Sequence, residues 1–184
     1  MLSFIGARPL GAFAMVVSCA LAGCGGGASE SEGPSAPAQG AVHPLIGKRG
    51  PEFAQKTVGG DATISLKGLS GKVTVVDFWA TWCGPCKKSF PKLEAINAKY
   101  APNGVEVVGI SEDDDNSGIR AFQKGLGATF PVVWDASKSI ASKWQPKSMP
   151  STFILDRHGT IRYVHLGYHD HEEATIEREI QSLL

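Results

Sequence analysis

Net charge, cysteine and long apolar runs are all scarce in this chain. Its 184 residues carry 18 Lys or Arg against 18 Asp or Glu. No net positive field is therefore available to hold a polyanion, which argues against nucleic-acid binding. Without residues 1–23, whose single charge is Arg8, the balance is 17 against 18 and still near zero. Four cysteines are too few for a disulfide-stapled mini-protein. The apolar stretch from Leu10 to Ala22 has 13 residues, too few to span a bilayer comfortably. With 42% apolar and 20% charged residues, the composition is that of one ordinary globular domain plus its ends, and not of a collagen, a coiled coil or a wholly disordered chain. No internal repeat is apparent.

The cysteines, at positions 19, 24, 83 and 86, fall into two tight clusters. The first sits at the end of the uncharged stretch that follows Arg8, a pattern that fits a secretory signal over residues 1–23. Leu21-Ala22-Gly23-Cys24 resembles the lipobox of bacterial lipoproteins. That resemblance implies lipidation of Cys24, removal of Cys19 with the signal, and a membrane-anchored protein on the periplasmic or extracytoplasmic side. From Gly25 to His43, 14 of 19 residues are Gly, Ser, Pro or Ala and none is aromatic. Such a segment buries too little surface to offset its ordering entropy, so residues 24–43 are expected to be a flexible linker with a random-coil reach of ~25 Å. The working domain is expected to begin near Pro44 and run to Leu184.

Residues 73–79, Val-Thr-Val-Val-Asp-Phe-Trp, are β-branched or aromatic apart from one acid and lack a clean alternation, which predicts a central strand buried on both faces. Ala80-Thr81-Trp82-Cys83-Gly84-Pro85-Cys86 follows, and then Phe90, Leu93, Ile96 and Tyr100 at helical spacing. Cys83 thus falls where a strand turns into a helix, and there the unpaired N–H groups and the helix dipole favour a thiolate. Cys86, one turn later, lies within disulfide reach and is the natural resolving thiol. Pro85 occupies the first turn, where its missing N–H costs nothing, and Gly84 lets the backbone approach closely.

A zinc half-site would need a second ligand pair. The remaining candidates, His158, His165, His169 and His171, fall in a hairpin and at a helix start with no further cysteine. A structural disulfide closing so short a loop would stabilise little, so a redox-active Cys83–Cys86 pair is expected, with no metal and no other cofactor. Asp77 has two readings. It is either a salt-bridged core acid, or a carboxyl whose desolvation raises its pKa so that it accepts the Cys86 proton as a general base. Trp82 either packs or shields the sulfur and touches substrate.

Trp79-Ala80-Thr81-Trp82-Cys83-Gly84-Pro85-Cys86 resembles the active site of thioredoxins, and Asp77 matches that family's buried acid. Met149-Pro150-Ser151-Thr152-Phe153 resembles the family's cis-proline segment, and Pro91 its helix-kinking proline. Gly47–Phe53 with the hairpin after it, the 111–134 insertion and Phe130-Pro131 resemble the membrane-tethered, extracytoplasmic (TlpA/ResA-like) branch, which includes cytochrome c maturation reductants. Ser89 stands where several cytochrome-maturation members carry a glutamate.

The resemblance implies a thioredoxin fold: a mixed central sheet flanked by helices, with an N-terminal β-hairpin and a central αβ insertion. It implies a thiol-disulfide oxidoreductase in which Trp82, Gly84, Pro85, Met149 and Pro150 contact protein disulfide substrates. The Gly-Pro dipeptide resembles that of thioredoxin, whose potential near about −270 mV lies at the reducing end, so a reductant is expected, recharged by a membrane electron-donor protein. Two alternative readings exist. A thiol peroxidase shares the fold but does not usually carry Cys-Gly-Pro-Cys, and a non-enzymatic surface binding module would hold an inert disulfide.

The remaining expectations are structural. Thr57-Val58 and Ala62–Leu66 flank Gly59-Gly60 as a hairpin. Val105–Ile110 reads as a second parallel strand, and Ser151–Asp156 with Ile161–His165 as an antiparallel hairpin. The acidic run from Glu112 to Gly118 lacks the bidentate ligand of a calcium loop, since Lys124 occupies that position. It is expected to be a solvated loop capping a helix over 118–125. His165, His169 and His171 are expected at turns and on the surface. Asp170 with Glu173 is expected to form a capping box for a final helix with Ile176, Ile180 and Leu183 on one face.

Overall fold

The computed structural model describes residues 42–184. The expected signal, Cys19, Cys24 and the expected linker before Val42 lie outside them. His43, expected in the linker, is buried: its Nε2 donates to the Gln145 carbonyl at 3.0 Å and its ring meets the Phe153 ring edge-on at 5.1 Å.

The strand predicted over 73–79 is β3 (Val73–Trp79), every residue of which is buried. It lies at the centre of a five-stranded sheet. β3 pairs in parallel with β4 (Val105–Ser111), which pairs in parallel with β5 (Val132–Trp134). On its other side β3 pairs antiparallel with β6 (Ser151–Leu155), and β6 with β7 (Ile161–Leu166), giving the order β5-β4-β3-β6-β7. The helices are α1 (Gly84–Tyr100), α2 (Ile119–Gly125), α3 (Ser139–Trp144) and α4 (Glu173–Leu183).

Successive residues of a strand point to opposite faces, and β3 divides its side chains accordingly. Val73, Val75 and Trp79 enter a core with Phe90, Leu93 and Ile96 of α1 and Ile176 and Ile180 of α4. Val76 and Phe78 enter a second core with Phe53, Ile140, Trp144 and Phe153. Asp77 shares the parity of Val75 and Trp79 and therefore faces the α1 side, where Cys86 also sits.

Four expectations need correction. The N-terminal hairpin pairs β1 (Ala54–Lys56) with β2 (Thr63–Ser65). Thr57 continues the hairpin, its N–H donating to the Ala62 carbonyl at 2.9 Å, and also bridges Val133 of β5, whereas Val58 leaves the hairpin and its N–H donates to the Val132 carbonyl at 2.8 Å. The predicted capping box does not form: Glu172 is the N-cap of α4 without a side-chain cap, and Glu173 pairs with Lys92 of α1 at 2.8 Å. The acidic run is only partly solvated. Asp114 and Asp115 are exposed, but Asp113 is buried and Glu112 half-buried, and α2 begins at Gly118 with no side-chain cap. His165 is not a surface residue, since its side chain is 12% exposed between two glutamates. In each case a partner distant in sequence outweighs the local pattern.

Gly50 marks where the N-terminal segment crosses the second core. A Cβ there would stand 2.9 Å from Leu155 Cδ2 and 3.0 Å from both Leu66 Cδ2 and Trp144 Cη2. Gly50→Ala is therefore expected to overpack the core and cost roughly 1–3 kcal/mol, read as a lowered urea midpoint with an unchanged slope.

Candidate functional site

Cys83 is the N-cap of α1. Its backbone is extended (φ −78°, ψ 106°) and its Sγ accepts from the Cys86 N–H at 3.2 Å. Pro85 sits in the first turn. The two sulfurs form a disulfide, with Cys83 4% exposed and Cys86 fully buried. Negative charge on Cys83 Sγ would thus meet a backbone donor and the positive end of a 17-residue helix. Around the pair, Gly84 and Pro85 are exposed, and Trp82 is 68% exposed. That exposure removes the packing reading of Trp82.

The Met149–Pro150 peptide is cis. Met149 packs against the core cluster containing both cysteines, and Pro150 is buried, its carbonyl accepting from the Gly167 N–H at 2.8 Å. Ser89, at the position where a glutamate was looked for, is buried and returns its hydroxyl to the Cys86 carbonyl at 3.1 Å. Beside the dithiol a groove runs between Gly84, Pro85 and Lys88 on one side and Tyr168 and Asp170 on the other.

Asp77 is fully buried and makes no salt bridge among the described residues. Its Oδ1 accepts from Thr152 Oγ1 at 2.7 Å, while Oδ2 has no hydrogen-bond partner among the described residues. Burial pushes its pKa from the ordinary 3.8 up to about 7. The Thr152 hydrogen bond opposes the rise and the nearby Glu172 charge adds to it. A core acid left half-paired fits the acid-base reading better than the salt-bridged one.

Sequence reasoning missed three contributors. Thr152 lies directly across from Asp77 in the β3–β6 register, which a correct strand alignment would have revealed. Thr81, two residues before the nucleophile, is gripped by Asp113, whose carboxylate accepts from the Thr81 N–H at 3.1 Å and from its hydroxyl at 2.6 Å. Asp113 is held in turn by Ser111 Oγ at 2.8 Å, and its carbonyl accepts from Trp134 Nε1 at 2.8 Å and Lys138 Nζ at 2.9 Å. Glu172, three positions beyond His169, lines a crevice with Thr152. The neighbouring Glu112 is also pushed up to about 7, first by burial and then by the Asp135 charge.

A family model described as Redoxin matches residues 45–180. The chain belongs to the Redoxin family. Among curated Redoxin-like relatives, the "Thioredoxin-like protein YneN" of Bacillus subtilis is 36% identical over 124 residues, covering 66% of this chain and 71% of that one. The "Thiol-disulfide oxidoreductase ResA" of Bacillus anthracis is 33% identical over 116 residues, covering 63% and 66%. The matched region therefore spans about two thirds of the relatives' own length. Among solved structures, a Chlorobium tepidum protein assigned as the thiol:disulfide interchange protein DsbE superposes with a TM-score of 0.71 at 31% identity, covering 75% of this chain and 96% of that one. The fold is thioredoxin-like, as the resemblance implied.

Proposed function

We propose that this protein is a thiol-disulfide oxidoreductase that reduces protein disulfides outside the cytoplasm, working from a membrane to which Cys24 anchors it. The observation that carries the reading is a disulfide at the N-terminus of α1, on the side of the sheet that Asp77 also faces. In the reduced protein the Cys83 thiolate attacks a substrate disulfide, forming a mixed disulfide and expelling one substrate thiolate, which takes up a proton. Asp77 as carboxylate accepts the proton of Cys86. The Cys86 thiolate then displaces the second substrate sulfur from Cys83; that sulfur leaves as a thiolate and takes the proton held by Asp77, so Cys83–Cys86 is oxidised, Asp77 is again a carboxylate and the substrate carries two thiols.

Trp82, Gly84, Pro85, Met149 and Pro150 form the surface against which the substrate chain lies. The cycle needs no cofactor beyond the dithiol. Because the surrounding compartment is oxidising, a membrane electron-donor protein returns two electrons and two protons to the pair. Lys88, 5.9 Å from the Tyr168 ring centroid, leaves a cation beside the groove.

Replacing Cys86 by alanine stalls the cycle at the mixed disulfide. Expression of Cys86→Ala in cells is expected to accumulate covalent adducts with exported, cysteine-containing proteins, visible as bands that collapse on reduction. Capture of apocytochromes alone would narrow the substrate to cytochrome maturation. No adduct, with the protein folded and exported, overturns the reading.

A further inference from the structure

A narrow crevice runs between α1, the start of β6 and the segment leading into α4, with Ser89, Leu93, Pro150, Thr152, Tyr168 and Glu172 in its walls. It offers about 20 Å³ to the centre of a water molecule, room for about one. Thr152 on one wall donates to the buried Asp77 at 2.7 Å. Glu172 on another is held by His165, with Glu172 Oε1 2.7 Å from Nδ1, while Nε2 of the same ring stands 2.6 Å from Glu179 Oε2. The three side chains are only 12%, 15% and 17% exposed. With a carboxylate oxygen at each ring nitrogen, the imidazole ties the two glutamates together and fixes where the Glu172 carboxyl stands.

We infer that Glu172, fixed by His165, is a positioning residue for the resolving step: it faces, across a crevice about one water wide, the Thr152 hydroxyl that holds Asp77, the base for Cys86. This rests on the function proposed above. An anion on the far wall of a poorly solvated crevice opposes ionisation of Asp77, in the sense already noted for its raised pKa. The other charged or titratable groups facing Glu172 are few. From α1 comes Lys92, committed to Glu173 at 2.8 Å. From the segment before α4 come Tyr168, also on the crevice wall, and His169, whose backbone N–H donates to Glu172 Oε2 at 3.4 Å. Asp170 and His171 are exposed. From α4 come Glu173 and, through His165, Glu179.

The test is a carbon-13 NMR titration of the Asp77 carboxyl in the oxidised full-length protein, so no substrate or turnover enters the reading. Glu172→Gln keeps an acceptor for His165 but removes the charge, and should lower the Asp77 midpoint by roughly 0.5 unit. His165→Gln removes the side chain that fixes Glu172 and should also move the midpoint. Glu173→Gln, beside the same crevice but paired with Lys92, should leave it within about 0.2 unit. An unmoved midpoint in Glu172→Gln or in His165→Gln, or an equal shift in Glu173→Gln, overturns the inference. If His165→Gln does not fold, Glu172→Gln alone decides. Failure of wild-type protein to reduce any disulfide would sink the proposed function and leave this titration readable.

Discussion

Cys83→Ser is expected to abolish insulin-disulfide reduction, lowering the rate at least ~1000-fold, while leaving the domain folded. The chemistry and the packing separate cleanly at this residue. A hydroxyl at the N-cap still accepts from the Cys86 N–H, as the sulfur does now at 3.2 Å, and serine is among the best N-caps. Helix initiation therefore survives. What disappears is the ionisable sulfur at the N-cap, and neither the fully buried Cys86 nor any electrostatic help from α1 to an alcohol replaces it. The disulfide lost with it spans a sequence separation of only three and constrains the unfolded chain little. A turbidity assay of insulin reduction, paired with a thermal melt by circular dichroism, checks both halves. Residual activity above the dithiothreitol background would mean that Cys83 is not the nucleophile.

Asp77→Asn should move stability and catalysis in opposite directions. In the native state the carboxyl holds its proton up to about pH 7, against an ordinary value of 3.8. Between those values the folded chain binds a proton that the unfolded chain has released. Stability therefore falls as pH rises through this window and is flat above it. At about 1.4 kcal/mol per unit, the loss by pH 8 is on the order of 4 kcal/mol. An asparagine keeps a hydrogen-bonding partner for Thr152 and carries no charge, so the variant should be more stable than wild type at pH 8 by up to roughly that amount. The gain should vanish below pH 4. Urea unfolding of the oxidised protein across pH 4–8 measures it, and a pH-independent difference would show that Asp77 ionisation is not the cause. Without the base, resolution of the mixed disulfide should slow by roughly 10²–10⁴-fold at neutral pH, seen as a build-up of adduct in rapid-quench experiments.

Long, strongly patterned segments were legible in the sequence. Six strand formers in a run of seven announced β3 because a strand covered on both faces has no use for alternation, and the Cys83–Cys86 spacing announced the helix start through the chemistry it requires. The single acid among those strand formers was enough to mark Asp77. Short elements were not legible. β5 has three residues and α3 six, fewer than two periods of either repeat, and their place depends on Val133, Ile140 and Trp144 finding the second core.

Charged residues misled most, because their local pattern predicts solvation unless a distant partner intervenes. Asp113 reads as part of an acidic surface run until Thr81, 32 positions away, supplies two donors. His165 reads as a turn residue until Glu172 and Glu179 flank its ring. Glu173 reads as half of a capping box until Lys92 of α1 takes it. The buried acid was thus visible at Asp77, while the residues around it belong to tertiary structure.

The grip of Asp113 on Thr81 bears on how a donor or client meets the nucleophile. The turn leading to the nucleophile is fastened to the end of β4, and through the Asp113 carbonyl to Trp134 and Lys138, none of which exchanges electrons. Making or breaking the sulfur–sulfur bond therefore pulls against a backbone tied at its rear. A donor or client that reaches Cys83 meets it at the foot of the exposed Trp82, on a turn whose position is held from behind.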